Sequence, residues 1–150
     1  MRSPLITLAV CLLAACGNIR DVTGEPPLAG IDGLARQGDE LVIELALRNV
    51  NDMHMQLSAI EFELDLDAQP LAAGREDLPL RISARGREVI RLRVNGHQAG
   101  LNRLEALASG ERASLPWSLE LTLINQEDRF NRASAQGWLH PAPGQPDRFR

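Results

Sequence analysis

The segment Leu57-Ser58-Ala59-Ile60-Glu61-Phe62-Glu63-Leu64-Asp65-Leu66-Asp67 decides the fold class. From residue 60 it alternates strictly, with Ile60, Phe62, Leu64 and Leu66 apolar and Glu61, Glu63, Asp65 and Asp67 acidic. Successive side chains of a β-strand point to opposite faces, so this period of two makes a strand with one core face and one carboxylate face. A helix would scatter the same carboxylates around its circumference. Strands with one wet face belong to antiparallel sheets, and this segment therefore predicts an all-β architecture.

The same period recurs to either side. Glu40 to Asn49 places Leu41, Ile43, Leu45 and Leu47 on one face, and Glu88 to Asn95 sets Ile90, Leu92 and Val94 inward with Arg91 and Arg93 outward. Leu28 to Leu34 reads as a short first strand, Leu115 to Leu123 as a strictly alternating late one, and Ala133 to Leu139 as the last. Asn49-Val50-Asn51-Asp52 is a turn, because Asn and Asp side chains bond to nearby backbone and tolerate left-handed conformations. Gln69 to Asp77, with Pro70 and Gly74, reads as a loop. Leu78 to Ser83 reads as a short edge strand, where Pro79 is tolerated. Between Gln98 and Ser109 the period changes: Leu101, Leu104, Leu107 and Ala108 recur at helical spacing, with Gly110 where a helix would stop. Six to seven short strands and one helix near residues 98–109 make an antiparallel β-sandwich the economical fold, with residues 28–139 as the domain. Residues 140–150, carrying Pro141, Pro143, Gly144 and Pro146, read as a disordered tail.

The N-terminus points to a compartment. Arg2 precedes a short apolar run from Leu5 to Leu13, followed by Ala14, Ala15 and Cys16. Leu13-Ala14-Ala15-Cys16 resembles the lipobox of bacterial lipoproteins. The resemblance implies a signal peptide over residues 1–15, a diacylglycerol on the Cys16 thiol and acylation of its freed amine. The apolar run falls well short of the roughly 20 residues that span a bilayer. Two or three acyl chains, at about 0.8 kcal/mol per buried methylene, would hold the protein on a membrane durably. Gly17 stands where an aspartate would favour inner-membrane retention, so the expectation is an outer-membrane lipoprotein facing the periplasm. Residues 16–27, with Gly17, Gly24, Pro26 and Pro27, read as its flexible tether.

Composition removes several functions. Losing the first 15 of 150 residues leaves 135, enough for one domain, and removes Arg2, leaving 15 arginines against 20 acidic residues. That balance argues against nucleic acid as a partner, since such binding normally needs a basic stripe. Cys11 would leave with the signal peptide and Cys16 would carry lipid, so neither a disulfide nor a cysteine nucleophile is expected. Tyrosine is absent, and Phe62, Trp117, Phe130, Trp138 and Phe149 are the only aromatic residues.

The segment from Leu28 to about Trp138 resembles the late embryogenesis abundant type 2 family, also called the water stress and hypersensitive response domain. The resemblance rests on a strand ending in an Asn-x-Asn turn, here Leu45-Ala46-Leu47-Arg48-Asn49-Val50-Asn51. An alternating strand, Leu57 to Asp67, follows, then Gly74, the Leu78-Pro79 step and the strand Glu88 to Val94, with a short helix before Trp117 to Leu123. Val50 departs from the proline usual there, and proline pre-sets φ where valine does not. The resemblance implies an immunoglobulin- or fibronectin III-like sandwich without a catalytic centre, no cofactor, and a role in stress or desiccation tolerance through contacts with envelope proteins or lipids. A carrier of lipid or hydrophobic ligand, or an adaptor in an envelope assembly, is the alternative.

Three clusters were candidates for chemistry. The ladder Glu61, Glu63, Asp65, Asp67 offers oxygen ligands to a divalent cation, but same-face neighbours on one strand sit about 7 Å apart and do not converge. Cross-strand pairing with Arg87, Arg91 and Arg93 is the simpler expectation. Met53-His54-Met55 has the soft ligands of a copper site, yet in an extended segment His54 opposes the two methionines, and a core contact for the methionine pair is expected instead. His97 and His140 lie apart in sequence, and none of Ser58, Ser83, Ser109, Ser114, Ser118 and Ser134 stands in a Gly-x-Ser-x-Gly elbow. No catalytic residue and no metal ligand is therefore assigned.

Overall fold

A computed structural model describes residues 24–127 and 130–150. The expected signal peptide, Cys16 and the first part of the expected tether lie outside the described residues. Two antiparallel sheets pack face to face. The five-stranded sheet has the order β5-β2-β1-β9-β8, built from β1 (Leu28–Gln37), β2 (Glu40–Arg48), β5 (Arg87–Asn95), β8 (Pro141–Ala142) and β9 (Gln145–Phe149). The four-stranded sheet has the order β4-β3-β6-β7, from β3 (Met55–Leu66), β4 (Gln69–Ile82), β6 (Leu115–Ile124) and β7 (Phe130–Leu139). The helix α1 (Gln98–Ala108) joins the two sheets between β5 and β6. The all-β sandwich expected from the alternation is the observed fold.

Alternation chose the burial. Ile60, Phe62, Leu64 and Leu66 of β3 face Leu41, Ile43, Leu45 and Leu47 of β2 within one contiguous core, and Leu119, Leu121 and Leu123 of β6 complete the layer. Nearly all of these side chains are fully buried, each contributing about 1.5–3 kcal/mol relative to exposure. Register is fixed accordingly, because a slip of one residue would turn the carboxylates of β3 into that core.

Two segments fold against expectation. Gln69 to Asp77, expected as a loop, is the first part of the 14-residue strand β4, continuous with the expected edge strand Leu78 to Ser83. It pairs with β3 along its length with two irregularities, and its place at a sheet edge leaves a free side where Pro70 and Pro79 need donate nothing. Residues 140–150, expected as a disordered tail, form β8 and β9 instead. Phe149 is 2% exposed and pairs with Leu34 of β1, while His140 and Arg150 exchange backbone hydrogen bonds. A single buried aromatic ring and a free edge of β1 outweigh the proline-rich composition.

The helix begins at His97, whose amide donates to the Leu71 carbonyl, and stops at Ser109 with Gly110 at φ +79°. It buries Gly100, Leu101, Leu104 and Leu107 against β4 and the end of β3, closing one end of the sandwich. Gly100 permits this approach. A Cβ there would lie 2.4 Å from Leu71 Cα and 2.6 Å from the Pro70 carbonyl oxygen, neither of which can swing aside. Gly100→Ala should therefore push the helix off β4 and cost about 1–3 kcal/mol, despite alanine's better helix propensity. Urea denaturation measures this directly, and a stabilised variant would show that the helix can shift freely.

Candidate functional site

The end of the sandwich opposite the helix is organised by two asparagines. Asn49 follows β2 and is fully buried, the one buried polar residue among those described. Its Nδ2 donates to the carbonyls of Met53 (2.7 Å) and Ser83 (3.1 Å), and its Oδ1 accepts from the Asn51 amide (3.0 Å) and from Asn51 Nδ2 (3.1 Å). Asn51 in turn clamps the incoming chain: the Glu25 amide donates to Asn51 Oδ1 and Asn51 Nδ2 donates to the Glu25 carbonyl, both at 2.8 Å. The last residues of the expected tether are thus held, with Pro27 buried. One corner ties together the chain entry, the turn after β2 and the loop after β4. Arg85 in that loop also pairs with Asp52 at 2.8 Å, and its guanidinium holds the Asp52 carboxyl below the usual carboxylate range.

Beside this corner lies a recess of about 160 Å³ lined by Met53, His54, Met55, Asn125 and Asn131 among others. Met55 packs partly against the core, as expected of the pair, but Met53 is 68% exposed, because β3 begins only at Met55 and the preceding bend carries Met53 outward. The three residues expected to diverge line one recess. No group of three His, Cys, Asp or Glu residues suited to a metal occurs among the described residues.

The charge ladders pair differently from expectation. Arg87, Arg91 and Arg93 lie on β5, in the other sheet from Glu61, Glu63, Asp65 and Asp67, so the expected partnership cannot form. Arg91 pairs with Glu44 (3.2 Å), Arg93 with Glu40 (3.5 Å), and Arg87 with Asp32. In the four-stranded sheet Glu61 pairs with Arg75 (2.9 Å), which also bonds Asp77, and these contacts raise the guanidinium's already high pKa. Asp67 meets Arg103 of the helix at 3.6 Å, and Glu63 stands directly opposite Glu120 of β6. The carboxylates run along the outer face without converging. These exposed pairs are screened by solvent, contribute little to stability and orient little.

Ser58 has a structural role. Ser58 Oγ donates to the carbonyls of Ile124 (3.2 Å) and Asn125 (2.9 Å), a bridge from β3 to the end of β6. His97 caps the helix start at one end of the sandwich, whereas His54 lines the recess at the other.

A family profile described as late embryogenesis abundant protein matches residues 44–131, from β2 to the start of β7, with the Asn49–Asn51 corner inside it. The chain belongs to the late embryogenesis abundant family. In this family member the two asparagines bond to each other across Val50. Two solved structures agree on the fold. The Arabidopsis thaliana protein AT1g01470, solved in solution, superposes with a TM-score of 0.57 at 16% identity, over 77% of this chain and 82% of its own. A late embryogenesis abundant candidate, At2g46140.1, also solved in solution, gives 0.51 at 14% identity, over 81% and 74%. A protein from Archaeoglobus fulgidus is also similar, with a TM-score of 0.44 at 14% identity over 79% of this chain and 97% of its own. No curated protein matches the sequence.

Proposed function

We propose that this late embryogenesis abundant protein is a non-enzymatic envelope lipoprotein, anchored through Cys16 at the periplasmic face of the outer membrane, that contributes to stress or desiccation tolerance by contacting proteins or lipids. The observation that carries the reading is the family match over residues 44–131, from a family that is generally non-enzymatic. Physical support comes from the distribution of polarity. The interior is filled by leucine and isoleucine side chains, and the chemistry-bearing groups stand on two outer sheet faces as solvated or paired charge. Such a body acts by its surface. Held at the membrane, it would shield exposed apolar surface of other envelope proteins as water is withdrawn.

Thermal aggregation of a labile client protein tests this. The protein should suppress light scattering at equimolar amounts, with no nucleotide or cofactor added. No protection at any ratio would overturn the holding role, and Cys16→Ser protein that still fractionates with membranes after a high-salt wash would overturn the anchor.

A further inference from the structure

The two outer faces of the sandwich differ in sign. On the four-stranded sheet Glu61, Glu63, Asp65 and Glu120 point outward and outnumber Arg75 and Arg132 on the same face. On the five-stranded sheet Ala29, Ile31, Leu45, Leu47, Ile90 and Leu92 turn to the core, so their neighbours along each strand turn out. Those neighbours form rows across the sheet. Arg87, Arg48 and Leu28 make one, Val89, Ala46 and Gly30 the next, then Arg91, Glu44 and Gly33, and finally Arg93, Val42, Ala35 and Arg148. The last two rows enclose a groove of about 290 Å³, floored by Gly33, Ala35 and Val42 and walled by the arginines.

Two features of this face call for a partner. Leu28 and Val89, 61% and 43% exposed, are two of the four exposed large apolar side chains among the described residues, and both stand beside arginines. Arg48 and Arg87 lie directly opposite one another, an arrangement of like charges that costs stability. Arg48 and Arg148 have no carboxylate partner among the described residues, and the carboxylates present, Asp32, Glu40 and Glu44, are already engaged by Arg87, Arg93 and Arg91. Exposed aliphatic groups flanked by cationic ones match a membrane interface, where anionic headgroups meet acyl chains.

We propose that the outer face of the five-stranded sheet docks on an anionic lipid bilayer. Leu28 and Val89 enter the headgroup boundary, Arg48, Arg87, Arg91, Arg93 and Arg148 engage lipid phosphates, and the acidic sheet faces away. β1 starts on this face immediately after the chain entry held by Asn51, so an anchored chain would present it to the surface it hangs from. The inference deepens the membrane reading above by naming the face and the ligand class. The carboxylates on the outer face of the four-stranded sheet would be repelled by an anionic surface, which disfavours approach by that face.

Vesicle flotation tests this with a chain starting at Gly17, which keeps every described residue and lacks the acylated cysteine. The chain should float with equimolar phosphatidylcholine and phosphatidylglycerol vesicles, remain in solution with phosphatidylcholine alone, and be released by high salt. Each basic residue at such a surface changes partitioning about fivefold, so the triple variant Arg91→Gln/Arg93→Gln/Arg148→Gln should weaken flotation by about a hundredfold. Leu28→Ser/Val89→Ser should weaken flotation while leaving the weak binding of soluble polyglutamate unchanged, and Glu61→Gln/Glu63→Gln should leave it intact or strengthen it. Circular dichroism confirms that each variant is folded. No flotation with anionic vesicles, wild-type flotation of the folded arginine variant, or polyglutamate bound as tightly as vesicles would overturn the proposal, the last in favour of an acidic protein partner. These failures would leave the Cys16 anchor standing, since this chain lacks it.

Discussion

Asn49→Ala is expected to destabilise the domain by about 3 kcal/mol or more and to lower its melting temperature by roughly 10 °C. The side chain is fully buried and makes four hydrogen bonds within 3.1 Å. Truncation strands the carbonyls of Met53 and Ser83 and the amide of Asn51 together, and each buried polar group left without a partner costs about 1–3 kcal/mol. Met53 is exposed and its carbonyl can recruit water, which keeps the estimate at the lower end. The loss should spread. Asn51, no longer fixed by Asn49, would release Glu25, so protection of the Glu25 amide in hydrogen exchange should fall even where the core stays folded. Asn49→Asp separates donor from acceptor: it keeps an oxygen for Asn51 but turns a second oxygen toward two carbonyls. Its buried carboxyl should titrate above the ordinary carboxylate range, because protonation restores one donor. The variant's stability should therefore be retained below the unfolded-state pKa and lost as pH rises through the folded one. Equal stability of Asn49→Ala and wild type would show that water fully replaces the side chain.

How much of this was legible beforehand follows from what each pattern encodes. Period two in β2, β3, β5 and β6 told which face of each strand is buried, and every apolar residue named for those strands lies in or against the core. The helix declared itself by a change of period and by Gly110. What alternation does not encode is which sheet a strand joins. Arg91 and Arg93 were read correctly as outward and paired with the wrong carboxylates, because β5 crosses to β2 rather than to β3. The Gln69 to Asp77 segment hid its strand behind Pro70, Gly74 and three consecutive charges, residues an edge strand accepts and a central strand does not. At the corner, Asn49 and Asn51 were legible as turn formers. Their hold on Ser83 and Glu25 was not, since those residues are distant in sequence. The core contact expected of Met53 was misjudged for a local reason: strand geometry was extended two residues past where β3 begins.

Phe149→Ala carries the second large expectation, a loss of about 3 kcal/mol, because a buried phenylalanine cut to alanine typically costs 3–5 kcal/mol and this one sits near a chain end that can partly collapse. The ring, 2% exposed, is the only fully buried side chain of β9 and sits against Leu34 in register. Backbone pairing alone cannot hold so short a strand, since ordering each residue costs about 1–2 kcal/mol. The variant should therefore lose β9 as a unit. The signature is local: amides of β9 and of the Leu34–Ala35 stretch of β1 should exchange quickly, while β2, β3 and β6 stay protected. Loss of β9 also bares the Leu34–Ala35 stretch of the β1 edge, and an unpaired edge invites strand addition from a second chain. The variant should consequently aggregate at concentrations where wild type does not, and chain termination after Gly144 should reproduce both effects. If the truncated chain keeps wild-type stability and solubility, then β9 is a passenger on the sheet, and the proline-rich end of the chain is the dispensable tail its composition suggests.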